Sequence, residues 1–278
     1  MPDGLADRVR ARLAELPEGT TAAVYCEPRD GTPWLAIDAD RSMPCASAIK
    51  AAYLVEWFAA HASALDATES VVDAILRDDA HPAIAHFAPA ARERARTALL
   101  GVGVRRIAEA MISGRGVDNL TYNVAANLVT AWAGGPDALT AKLHARDPAW
   151  RGLVVRRYML ADRNERGDNT ATARSLGSVM AMLADEAVPG VDAEVVAAAR
   201  AELRQERVPD GWSAAYAKFG ALDSAPATRV LAGWVERDGE MRVYVVMLAR
   251  DARGAAVGDE LERAARALET ELLRRTDL

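Results

Sequence analysis

The chain has 278 residues, 51% of them hydrophobic and 27% charged, enough for one large domain or two intimate ones with a sizeable core. Its net charge is −6 and its pI about 5.4. No basic run stands out, so nucleic acid is not expected as a partner. Two cysteines, Cys26 and Cys45, are too few for a disulfide scaffold and are expected to be reduced, buried thiols.

Leu5, Val9, Leu13 and Leu16 repeat at helical spacing, and Pro17 and Gly19 end that first helix. The opening stretch has no apolar core segment of the secretory kind, and nothing later is long enough to span a membrane. On that ground a cytoplasmic location with no membrane partner is expected. TTAAVYCEP reads as a strand, Arg29 to Thr32 as a turn, and PWLAID as a second strand.

Residues 47–62 are Ala-rich and apolar on most faces, the pattern of a buried helix. Helical segments follow over 67–77, 89–100, 103–113, 121–133, 136–144, 172–185 and 192–205, punctuated by Gly and Pro. After Pro209-Asp210-Gly211 strands resume: AAYAKF, then TRVLAGWVER and EMRVYVVMLAR, joined by the hairpin signal Asp238-Gly239. Leu261, Ala265, Leu268 and Leu272 mark a closing amphipathic helix. This order implies one sheet built from both ends of the chain. Residues 1–46 and 206–278 would form it, and 47–205 would be an all-helical insertion. The seam between the two is the default place for a site.

The chemistry-bearing signal is Ser47-Ala48-Ile49-Lys50. A serine at a helix start with a lysine three residues on puts both side chains on one face. A buried lysine beside other cations loses pKa and can then take the serine proton. Alone, the pattern equally describes an N-capping serine followed by a surface lysine. Here the following helix is apolar, which makes a solvated Lys50 less natural.

Two further motifs join it: Thr121-Tyr122-Asn123 opening a helix, and Lys218-Phe219-Gly220 on the first strand after the helical block. With Ser47 and Lys50 they resemble the S-x-x-K, S-D-N and K-T-G set of class A β-lactamases and penicillin-binding proteins. The likeness extends to NVAANL with Gly134-Gly135-Pro136, and to RRYMLADRNERGDNTATARSLG, which resembles the omega-loop region. The resemblance implies an α/β (α+β) β-lactamase-like fold: an antiparallel sheet flanked by N- and C-terminal helices, with a large helical insertion. It implies no cofactor and a small-molecule substrate; it leaves the oligomeric state open.

By the same resemblance Ser47 attacks an acyl carbon and Lys50 accepts its proton. Thr121 stands where a hydroxyl shuttles a proton to the leaving group, with Tyr122 as an alternative shuttle. Asn123 stands where an amide binds the substrate carbonyl and touches the lysine. Lys218 stands where a cation holds a substrate carboxylate. The N–H groups of Ser47 and Leu222, the latter just beyond Gly220, would form an oxyanion hole.

The departures are as informative. Phe219 replaces a hydroxyl residue and would set an apolar ring beside the carboxylate site. Val117-Asp118-Asn119 offers a second register one turn earlier, without the hydroxyl. The omega region, Val155 to Ala161, has no carboxylate where the family has a Glu; Asp162 and Glu165 follow out of register. The site is therefore expected to be a poor β-lactamase. Three functions remain open: an acyl hydrolase acting on an ester, amide or lactam; an acyltransferase or cyclase in natural-product metabolism; and a silent binding protein on the same fold.

Other residues carry less. His81 and His86 are separated by Pro82 and a third ligand is not apparent, so no metal site is expected. His61 and His144 read as ordinary helix residues. Arg151, Arg156 and Arg157 form either a solvated face or a wall toward an anionic substrate.

Overall fold

The computed structural model describes residues 4–275. Helix α1 (Leu5–Ala14) leads into strand β1 (Thr20–Pro28), which pairs antiparallel with the short β2 (Leu35–Ile37). After the helical block come β5 (Ala214–Leu222), β6 (Ala227–Arg237) and β7 (Glu240–Arg250). They complete one five-stranded sheet in the order β2-β1-β7-β6-β5. Thr20 of β1 faces Arg250 of β7, so the two ends of the chain meet at the middle of the sheet, as the element order predicts. The β6–β7 hairpin turns on Asp238 and Gly239 at φ 50° and 82°. Both lie in the left-handed region that such a two-residue turn requires.

One face of the sheet carries Val24, Leu231, Val246 and Leu248. These pack on Leu5 and Val9 of α1 and on Leu261, Leu268 and Leu272 of the closing helix α11 (Ala255–Leu273). The other face, with Ala23, Val230, Val245 and Met247, continues into the core of the helical block. That block holds α2 (Lys50–Ala60), α3 (Ser70–Arg77), α4 (Pro89–Leu99), α5 (Val104–Ile112), α6 (Asn119–Trp132) and α7 (Pro136–Arg146). A short α8 (Arg163–Arg166), α9 (Ala173–Ala184) and α10 (Ala193–Glu202) complete it. Among the described residues no helix is long and apolar enough to cross a membrane.

Several boundaries differ from the sequence reading for local reasons. The 47–62 helix begins as a 3₁₀ turn over Ala46–Ile49 before α2. The 67–77 segment starts at Ser70, because the Glu69 side chain caps it by accepting from the Val71 N–H. The 121–133 helix starts earlier, at Asn119, because Asp118 is its N-cap: its carboxylate accepts the Thr121 N–H at 2.7 Å. The 192–205 helix stops at Glu202, and Gln205 then hydrogen-bonds to Ala215 beside β5. A two-stranded tie is also new: β3 (Met43–Pro44) pairs with β4 (Thr170–Ala171). It brings segment 154–169 to the start of the Ser47 turn.

Candidate active site

Ser47 is held by a tight turn rather than by a helix start. Cys45, buried with its thiol free, anchors the turn by donating its N–H to the Asn169 carbonyl at 3.1 Å. Ala46 adopts φ 47°, uncommon for a residue with a side chain. In the 3₁₀ turn that follows, residues three apart eclipse. That places Ser47 and Lys50 on one side of the turn. Strand β5 lies at the sheet edge against this turn. A Cβ on Gly220 would fall 2.6 Å from the Cys45 carbonyl oxygen and 3.0 Å from the Ser47 nitrogen, so only glycine permits the approach.

Lys50 is fully buried, and its Nζ donates to Asn123 Oδ1 at 3.1 Å. Burial pushes its pKa well below the ordinary lysine value, and the charge of Lys218 pushes it the same way. Tyr122 stands between the two lysines. Lys50 Nζ is 3.2 Å and Lys218 Nζ 4.9 Å from the centroid of its ring. Asn123 is oriented in turn by donating Nδ2 to the Asn119 carbonyl at 2.9 Å.

These groups border a cavity of about 120 Å³ whose lining includes Ser47, Asn119, Tyr122, Asn123, Met159 and Leu222. Lys50, buried beneath it, reaches it through Asn123 and Tyr122. Three expectations need correcting. Thr121 is buried away from the cavity, tied to Asp118 in the first turn of α6, so Tyr122 and not Thr121 presents a hydroxyl residue to the site. Lys218 is buried, donates to the Ile112 carbonyl at 2.7 Å and stands behind Tyr122 rather than among the cavity-lining residues. Phe219 points to the opposite face of the sheet, under the Arg266 guanidinium at 4.4 Å, as strand alternation demands. It adds nothing beside the site.

The wall opposite Tyr122 comes from segment 154–169. Asn127 of α6 grips the Met159 peptide from both sides: Oδ1 accepts the Met159 N–H at 2.5 Å and Nδ2 donates to its carbonyl at 3.1 Å. His86 Nε2 lies 3.0 Å from the same carbonyl. Met159 therefore faces the cavity where a catalytic carboxylate was sought. Leu160 follows at φ 65°, half exposed at the mouth. Asp162 is spent on capping α8 through the Asn164 N–H, and Glu165 lines a different groove with Asp137 and His144.

Asp168, which sequence reasoning passed over, does border the cavity. Its carboxylate is held by Arg157 at 2.7 Å and Arg163 at 3.2 Å. Arg157 is thus not a solvated face: it is mostly buried, pairs with Asp168 and borders the cavity. Asn119, set aside in the sequence as part of the second register, also borders the cavity, in the first turn of α6. Among the described residues no group of three or more His, Cys, Asp or Glu could hold a metal ion.

The model of the β-lactamase enzyme family matches residues 4–272, nearly the whole chain. The chain belongs to that family. From segment 154–169 the cavity wall takes Arg157, Met159, Leu160, Asp168 and Asn169. The structure is similar to a β-lactamase of Sphaerobacter thermophilus, at 18% identity and a TM-score of 0.68 over 97% of both chains. It is similar to the TLA-1 extended-spectrum β-lactamase at 12% identity and a TM-score of 0.73, over 98% of this chain and 100% of that one. It is also similar to PBP-A at 19% identity and a TM-score of 0.68, over 96% and 95% of the two chains. At these identities the likeness concerns the fold. No curated protein matches the chain.

Proposed function

We propose that this protein is a serine acyl-transferring enzyme in which Ser47 forms an acyl-enzyme on a small ester, amide or lactam. The observation that carries the reading is the buried Lys50, bonded to Asn123 one 3₁₀ turn after a cavity-lining serine. Burial lowers the Lys50 pKa well below the ordinary lysine value, which favours the free amine that can act as a base. Lys50 takes the Ser47 proton as Oγ attacks the acyl carbon. The Tyr122 hydroxyl relays a proton to the leaving group. Asn123 orients the substrate carbonyl. The N–H groups of Ser47 and Leu222, on the turn and on the edge strand facing it, receive the oxyanion. Lys218 is a positioning residue: it favours neutral Lys50 and flanks the Tyr122 ring.

Loss of the acyl group is the slow step in this reading. A water near the ester carbon needs a base within hydrogen-bond reach. The omega wall offers Met159 and Leu160, and its carboxylate, Asp168, is neutralised by two arginines. This favours transfer to an amine or alcohol that approaches from the Lys50 and Tyr122 side. Phe219, whose apolar ring beside the site would have suited a silent binding protein, faces away from it. The test is steady-state turnover of penicillin and a chromogenic cephalosporin. Loss of a general base costs on the order of 10²–10⁴ in rate. Against ordinary enzyme turnover of up to about 10³ per second, the expected result is at most a burst followed by about 1 per second or less. Sustained turnover near 10² per second or above would show that a carboxylate reaches the water after all.

A further inference from the structure

Two lysines, Lys50 and Lys218, stand behind the Ser47 cavity, and both are covered. Lys50 is fully buried, Lys218 is 7% exposed, and neither lines the cavity. Tyr122 touches both and does line it: its ring centroid is 3.2 Å from Lys50 Nζ and 4.9 Å from Lys218 Nζ. The ring is backed by Gly114, at φ 67°, where a Cβ would sit 3.4 Å from Tyr122 Cδ2. Lys218 turns further inward and donates to the Ile112 carbonyl at the end of α5, at 2.7 Å. Strand alternation puts Lys218 and Leu222 on one face of β5, yet of the two only Leu222 borders the cavity.

An aromatic face carries partial negative charge. It attracts the lysines behind it and offers nothing to an anion in front of it. Among the described residues, no charged side chain outside segment 154–169 lines the cavity. The cation in that segment's wall, Arg157, is paired with Asp168 at 2.7 Å. A carboxylate seated on the Tyr122 side would give up water without gaining a cation, which is unfavourable. That side receives the leaving group, because the Tyr122 hydroxyl relays the proton to it.

We propose that Tyr122 is a specificity-determining residue: its ring screens Lys218 from the cavity, so the acyl donors this site takes carry an uncharged leaving group. This rests on the reading of Ser47 as the nucleophile. The substrate class is an ester or amide whose alcohol or amine part bears no acid group. Lys218 acts on the chemistry from behind the ring and does not touch the donor.

The test is covalent labelling of Ser47 by two acetate esters of one shape, meta-carbamoylphenyl and meta-carboxyphenyl acetate. Phenol release gives the rate, corrected for spontaneous hydrolysis, and peptide mapping gives the position. In the labelling step the Oγ–acetyl bond forms and the acetyl–phenol bond breaks. The Ser47 proton passes to Lys50, and a proton relayed through Tyr122 goes to the departing phenol oxygen. In the native protein the uncharged ester should react at least ~10-fold faster, since the carboxylate finds no partner. Tyr122→Ser keeps a hydroxyl but removes the ring, so Lys218 can reach the carboxylate. The rate ratio should then fall about ten-fold or more, the worth of a charge-assisted hydrogen bond. Tyr122→Phe keeps the ring and should keep the ratio while slowing both esters. Lys218→Gln should change both rates alike and leave the ratio as it is; this variant decides the matter if Tyr122→Ser does not fold. A native ratio below ~3, an unchanged ratio in folded Tyr122→Ser, or selective loss of the charged ester in Lys218→Gln overturns the screen and leaves Ser47 standing. Failure of both esters to acetylate Ser47 overturns both readings.

Discussion

A lysine buried beside a second lysine gives up its proton at lower pH than one in water, and Lys50 sits in that position behind Ser47. The sign follows directly. Lys50 is a base only when neutral, so the labelling rate should rise with pH through an ionisation well below the ordinary lysine value of 10.5, then level off. Lys218→Gln removes the repelling charge, so Lys50 holds its proton longer and the rising limb should move to higher pH. A pH–rate profile that does not move would separate Lys218 from the site. Met159 supplies a second prediction at this scale. Its backbone is clamped facing the cavity, so Met159→Glu places a carboxylate where water would meet the acyl group, and breakdown of the acyl-enzyme should accelerate on the order of 10² or more. Intact-mass decay of the acylated protein measures it. Ser47 and Lys50 could be read together in the sequence because their spacing follows turn geometry, whereas Asn123 came from the likeness of its motif to the family's. The places of Met159 and Asp168 were not legible, since they depend on the path of a long loop. Phe219 and Thr121 misled because motif matching ignores which way a strand or first-turn residue points.

Between elements, the helical block is stitched by an ion pair the sequence does not advertise. Glu56 of α2 is buried and takes Arg146 of α7 in a two-point bond at 2.8 and 3.0 Å, while Arg146 also reaches the Pro189 carbonyl. Glu56 lies on the helix that carries Lys50. Removing one partner of such a pair leaves a buried charge, at a cost of about 3–5 kcal/mol. Arg146→Ala should lose that much in urea unfolding. A loss under about 1 kcal/mol would mean that water reaches Glu56. Most helices were readable from apolar periodicity and Gly or Pro punctuation. Their ends were less so, because they are set by single side chains, as Glu69 and Asp118 show. The β3–β4 tie has two residues per strand, too short for any alternation to register.

At the scale of the whole molecule, the sheet cannot close without both termini. β1 pairs with β7, and α1 and α11 cover the same face. A chain ending at Gly254 would bare Val24, Leu231, Val246 and Leu248, which pack on α11. It should lose cooperative unfolding by circular dichroism, although every site residue named above would still be present. This architecture was visible in the element order, strands at both ends around a helical middle. The size of the cavity was not, because it arises from loops meeting across that seam. The central claim is that Ser47 and Lys50 act as one unit, and the measurement that tests it is labelling by ethyl fluorophosphonate with the modified peptide mapped. The account predicts label on Ser47, none in Ser47→Ala, and a rate in Lys50→Ala reduced by ~10² or more. Label on another residue, or unimpaired labelling of Lys50→Ala, would contradict it.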